Sequence, residues 1–110
     1  MITRYALFEG TVKPGQTEAF RAAVLETILP KWKQFPKAMD VRVSFAEARD
    51  DGAPEFPMIL AINYPDLEAV DAALASPVRT EARAATEAVL SQFFDGRIHH
   101  HVTVANEFAL

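Results

Sequence analysis

The chain has 110 residues and no cysteine, and half of it is hydrophobic. That length and composition fit a single domain, residues 1–110, with a true core, and they exclude disulfides, thiolate nucleophiles and thiolate metal sites. A net charge of −4 with scattered cations disfavours nucleic acid as a partner, and no apolar run is long enough to span a membrane.

The opening stretch "ITRYALFEG" reads as a strand, not as a leader with a basic segment and a long apolar run. A cytoplasmic location is therefore expected. Thr3 to Val12 alternates and carries Tyr, Phe and Val, which predicts a first strand. Pro14 and Gly15 then mark a turn. From Thr17 the spacing becomes helical, with Phe20, Ala23, Val24 and Ile28 on one stripe and Thr17 as N-cap. Pro30 lacks an N–H and should kink or end this helix, leaving Trp32 and Phe35 to pack in a short continuation.

Asp40 to Ala48 alternates strictly, with Val41, Val43 and Phe45 on one face and Arg42, Ser44 and Ala46 on the other. A polar Pro/Gly-marked connection leads to a third strand, Met58 to Tyr64, which is apolar on both sides. A hairpin between the second and third strands follows. Asp66 suits an N-cap, ahead of a stripe of Leu67, Val70 and Leu74. Ser76-Pro77 interrupts that helix and starts another, with Val78, Ala82, Ala85, Val89 and Phe93 on one face. Asp95-Gly96 should end it. The last strand holds three consecutive histidines in "DGRIHHHVTV", and "ANEFAL" follows as a tail.

The order is β-α-β-β-α-β with the second helix broken. This is an α+β, ferredoxin-like arrangement: a four-stranded antiparallel sheet, helices on one face, spatial order fourth, first, third, second. The other face would carry Arg42, Ser44 and Ala46, then Ile59, Ala61 and Asn63, then His99, His101 and Thr103. A second copy packed on this half-apolar face would bury it, so a homodimer is expected. Phe108 and Leu110 have no evident home within one subunit.

"YALFEGTVKPGQTEAF", "LPKWKQFP", "INYPDLEAVDAALASP" and "FFDGRIHHHVTV" together resemble the dimeric α/β-barrel superfamily. The closest flavours are EthD-like proteins, stress-responsive barrels and antibiotic-biosynthesis-type monooxygenases. The resemblance covers nearly the whole chain and implies a dimeric barrel. Its members include cofactor-free oxygenases, haem-degrading enzymes, isomerases and decarboxylases, so it implies the fold more sharply than an activity. EthD-like members often carry a His shortly before the first-helix Pro, whereas this chain has Thr27 and Ile28 there. No predicted helix contains a His, which departs from the haem-degrading pattern.

Strand geometry divides the histidine triplet. His99 and His101 share one face, and His100 belongs to the other with Ile98, Val102 and Val104. His-x-His on a strand is a metal-ligand spacing, yet Glu9 is the sole tidy third ligand, so no metal and no cofactor are expected. His99 or His101 could instead serve as a general base, or hydrogen-bond to polar neighbours in a wet cavity or dimer seam. His100 reads as a hydrogen-bonded histidine at the helix–sheet boundary. Tyr5, Arg42, Ser44 and Asn63 are candidate ligand contacts, and Trp32 a candidate cavity wall. Their competing roles are packing for Tyr5 and Trp32, an ion pair with Glu47 or Asp40 for Arg42, and backbone satisfaction for Ser44 and Asn63. Arg79 and Arg83, with Glu81 and Glu87 near, read as a solvated helix face. Three functions compete: an enzyme transforming a small hydrophobic molecule without a cofactor, a non-catalytic binding or accessory protein, and a stress-associated structural dimer.

Overall fold

The computed structural model describes residues 1–110. Its elements are β1 (Ile2–Val12), α1 (Thr17–Ala23), a π-helical turn (Val24–Ile28), α2 (Leu29–Trp32), β2 (Asp40–Phe45), β3 (Met58–Tyr64), α3 (Leu67–Leu74), α4 (Pro77–Phe93) and β4 (Phe94–Val104). The strands make one antiparallel sheet in the order β2-β3-β1-β4. This is the expected ferredoxin-like order, read from its other edge.

Side-chain alternation assigns the two faces. In β3, Met58, Leu60, Ile62 and Tyr64 are buried, while Ile59, Ala61 and Asn63 are half-buried. The even residues of β3 meet the helices and the odd ones face away. Register extends this parity across the sheet. Arg4 lies opposite Ile62 and Val102, Ala6 opposite Leu60 and His100, and Phe8 opposite Met58 and Ile98. On the open face, Tyr5 lies opposite Ala61 and His101, and Leu7 opposite Ile59 and His99.

Eighteen buried hydrophobic residues form one core between sheet and helices. Full burial of a large apolar side chain contributes roughly 1.5–3 kcal/mol. An exposed ion pair such as Lys31–Glu81 or Arg83–Glu87 contributes about 0–1 kcal/mol. The core therefore holds the fold. Phe94 links its two ends: its ring stacks on Phe20 at 6.2 Å and meets Phe8 edge-on at 6.4 Å.

Several local expectations are corrected. Gln16, not Thr17, is the N-cap of α1, and no side chain caps that end. Pro30 neither ends the helix nor simply kinks it. Instead Leu29 N–H bonds to the carbonyl of Val24, a wide i→i−5 turn. A proline ring collides with the carbonyl four residues back, and widening the turn before it relieves that clash. Trp32 and Phe35 then reach the core.

β2 ends at Phe45 rather than Ala48, although Ala46 N–H still donates to the Pro57 carbonyl at 3.0 Å. Asp66 caps α3 as expected, its Oδ1 accepting from Ala69 N–H at 2.8 Å. The buried face of α3 is Ala69, Val70 and Ala73, while Leu67 is 58% exposed. Two alanines let that helix sit close to the sheet. Ser76 sits at the N-cap of α4, but its hydroxyl donates backward to the Ala73 carbonyl in the last turn of α3 and does not cap α4. Thr86 joins Ala82, Val89 and Phe93 on the buried face of α4, its hydroxyl satisfied by the Ala82 carbonyl.

Asp95 and Gly96 do not stop α4. The helix ends at Phe93, and both residues already pair with β1. Gly96 faces Gly10, and a Cβ on either would strike the opposing backbone and the Phe94 ring. The pair lets β1 and β4 cross closely while Phe94 turns inward.

Candidate functional site

A cavity of about 530 Å³ opens between the helix-facing side of the sheet and α4. This size suits a small organic ligand. Phe8, Trp32, Phe35, Leu60 and Leu90 supply much of its apolar wall. Trp32 is 4% exposed, placed there by α2 after the widened turn. Its polar wall is Arg4 from β1, Arg79, Arg83, Thr86 and Glu87 from α4, and Arg97 and His100 from β4.

Even parity explains Arg4 and His100, whereas Arg97 has the parity of the open face and pairs with Glu9 there. Arg4 and His100 occupy positions on β1 and β4 that face the helices. α4 covers their side of the sheet and presents Arg79 and Arg83 one turn apart. Arg83 Nε lies 3.4 Å from Glu87 Oε1, and Arg97 Nε lies 3.4 Å from Glu9 Oε1. Arg4 and Arg79 form no side-chain hydrogen bond and no ion pair.

His100 is an exposed residue at the cavity rim and has no hydrogen-bond partner in the chain, contrary to the sequence expectation. Desolvation chiefly, and then the charges of Arg4, Arg79 and Arg83, hold its pKa below the usual imidazole value. At neutral pH it is an uncharged ring offering one donor and one acceptor. Burial also lowers the Arg4 pKa, with Arg79 adding to the effect and Tyr64 opposing it. Arg4 stays protonated. Burial raises the pKa of the Tyr64 phenol, with Arg4 pulling the other way.

The open face holds most of the residues singled out from sequence. His99 Nε2 lies 2.8 Å from Glu9 Oε1. That contact, more than the longer one from Arg97, holds the Glu9 carboxyl below its usual pKa. No cluster of three His, Asp or Glu side chains gathers around this pair or elsewhere. His101 lies beside Tyr5, and Tyr5 is half-buried. Asn63 accepts from the Thr3 hydroxyl and donates to Asp40 Oδ1 at 2.8 Å, so its partners are side chains, not backbone. Arg42 pairs with neither Glu47 nor Asp40. Ser44 is exposed on β2, opposite Ile59. Of the residues singled out, Trp32 alone lines the cavity.

Arg4, Arg79, Arg83 and His100 were the residues sequence reasoning passed over as a site. Arg4 carried a readable signal: it is a cation in the otherwise apolar register Ile2, Ala6, Phe8. Arg79 and Arg83 carried none, because an i, i+4 basic pair beside glutamates looks like any solvated helix face.

No family model and no curated protein matches the sequence. Solved structures do match in shape. An ethyl tert-butyl ether degradation (EthD) family protein from Bacillus halodurans has a TM-score of 0.72 at 19% identity, over 96% of this chain and 99% of that one. SnoaB, a cofactor-independent oxygenase from Streptomyces nogalater, has a TM-score of 0.64 at 16% identity, over 97% and 94%. A dimeric ferredoxin-like protein from Thermobifida fusca has a TM-score of 0.62 at 19% identity, over 94% and 90%. At such identities the likeness establishes architecture alone, and with the sheet order and one-sided helices it means that this chain has the ferredoxin-like fold.

Proposed function

We propose that this protein is a cytoplasmic homodimer whose subunits each bind a small hydrophobic molecule in the cavity between sheet and α4, and transform it without a cofactor. The cavity carries this reading: it has the volume for a bicyclic ligand, an aromatic wall and a few convergent polar groups. His100 is the imidazole bordering it and would be the group to take or give a proton. Tyr5, Arg42, Ser44, Asn63, His99 and His101, on the opposite face, are assigned to the seam between two subunits. There they would contact the partner, or a molecule held between the sheets. The fold likeness to a cofactor-independent oxygenase supports chemistry of this kind.

One observation favours a second, non-catalytic reading. No side chain is hydrogen-bonded to His100 to fix its tautomer or orientation, as a general base normally requires. A carrier or accessory protein needs no such partner.

Calorimetric titration with 2-naphthamide, a neutral bicyclic probe, is expected to saturate at one site per chain. Leu90→Trp, which fills the cavity from a half-exposed helix position, should abolish the signal. Binding that survives this substitution would locate the ligand elsewhere.

A further inference from the structure

The cavity's charge is opposite to that of the chain. The protein carries a net −4, yet the cavity lining holds Arg4, Arg79, Arg83 and Arg97 against one carboxylate, Glu87. Arg83 is turned to Glu87, and Arg97 to Glu9. Arg4 and Arg79 remain without an anionic partner, and both are half-buried. Two guanidiniums brought together beside apolar side chains repel each other and lose hydration. Nothing in the core requires this arrangement, since a Leu or Met at position 4 would fill the same register.

A bound anion offsets both costs. Guanidinium presents a planar fork of donors that matches a carboxylate, and the pairing is strongest where water is scarce. Neutral His100 beside them adds a donor or an acceptor without adding charge. The same lining includes Trp32, Phe8 and Phe35, whose rings suit a flat apolar body.

We propose that the cavity takes an amphipathic aromatic carboxylate, its ring system against Trp32 and Phe8 and its carboxylate held by Arg4 and Arg79. This rests on the cavity being the ligand site, and it adds the chemical class of the ligand. Arg4 and Arg79 are then the specificity-determining residues, selecting an acid over its neutral counterpart by leaving two cations unpaired whenever the neutral compound binds.

Trp32 is the only tryptophan in the chain and lines the cavity, so its fluorescence reports occupancy directly. The test compares 2-naphthoate with 2-naphthamide, which share shape and differ in charge. The acid is expected to quench Trp32 with at least ~10-fold higher affinity, a gap of about 1.4 kcal/mol. Arg79→Gln should shrink that preference to less than about threefold while the amide's affinity stays within about twofold. In the unsubstituted protein, raising salt should weaken the acid and not the amide. Equal affinities for the two probes, or an acid affinity indifferent to salt, would overturn the anion assignment and leave the cavity as a neutral-ligand site. Failure of both probes to quench Trp32 would overturn the cavity reading itself.

Discussion

At the scale of single residues, His100 links the fold to pH. Its folded pKa lies below the ordinary value of 6.5 because of desolvation, then Arg4, Arg79 and Arg83, the cations that face it from β1 and α4. The folded protein therefore resists the proton that the unfolded chain accepts. Between the lowered pKa and 6.5, the unfolded state holds more protons, so stability is lost as pH falls through that window. Above the window the group contributes no pH dependence. His100→Gln removes this titration and should lose less thermal stability between about pH 7 and about pH 5 than the unsubstituted chain. Superimposable melting curves at both pH values would show that His100 does not resist protonation in the fold.

At the scale of elements, β1 and β4 owe their long ladder to glycine. Gly10 has φ of 150° and faces Gly96 across the strands, and no Cβ fits between them. Gly96→Ala must push the β1 backbone away or displace the Phe94 ring from its stack on Phe20. We expect a loss of about 2–4 kcal/mol. Chemical denaturation measures it, and a change under about 0.5 kcal/mol would mean that the crossing is looser than described. Gly96 also shows what was legible from sequence and what was not. All four strands and the strand order follow from alternation and the β-α-β-β-α-β pattern, because period-two burial is written into the residues themselves. Gly96 read as a helix stop because a glycine after a helical run looks alike whether it ends the helix or admits a neighbouring backbone. The stripe on α3 was misjudged for a related reason. Hydrophobicity favoured Leu67, but close packing selected the small residues Ala69 and Ala73. The widened turn before Pro30 was visible only as a disturbance, since sequence locates the clash and not its relief.

At the scale of the whole molecule, the proposed dimer rests on the open sheet face. Leu7, Ile59, Ala61 and Tyr5 form an apolar centre on it, each half-buried within the single chain. Phe108 is 86% exposed beyond β4. In an isologous pair each of these residues meets the partner's copy of the same surface, so one substitution acts twice. Sedimentation should find the unsubstituted protein at the mass of two chains and Ile59→Glu at the mass of one. A single-chain mass for the unsubstituted protein would remove the dimer proposal. The site was harder to read than the fold. The histidine triplet divides between the faces as alternation required, but which face holds the cavity depends on how far α4 stands from β4. That spacing arises from three-dimensional packing and has no period in the sequence.

That division of β4 has a structural corollary. His100 looks toward the cavity while its neighbours His99 and His101 look toward the open face, so one strand separates the cavity from the open sheet face. β4 is also an edge strand, anchored to the sheet only through β1. A wall one backbone thick has no mechanical privacy. A molecule pressing on one side and a surface pressing on the other would share the same set of ladder bonds, and any preference of one for a particular strand position would be felt equally by the other.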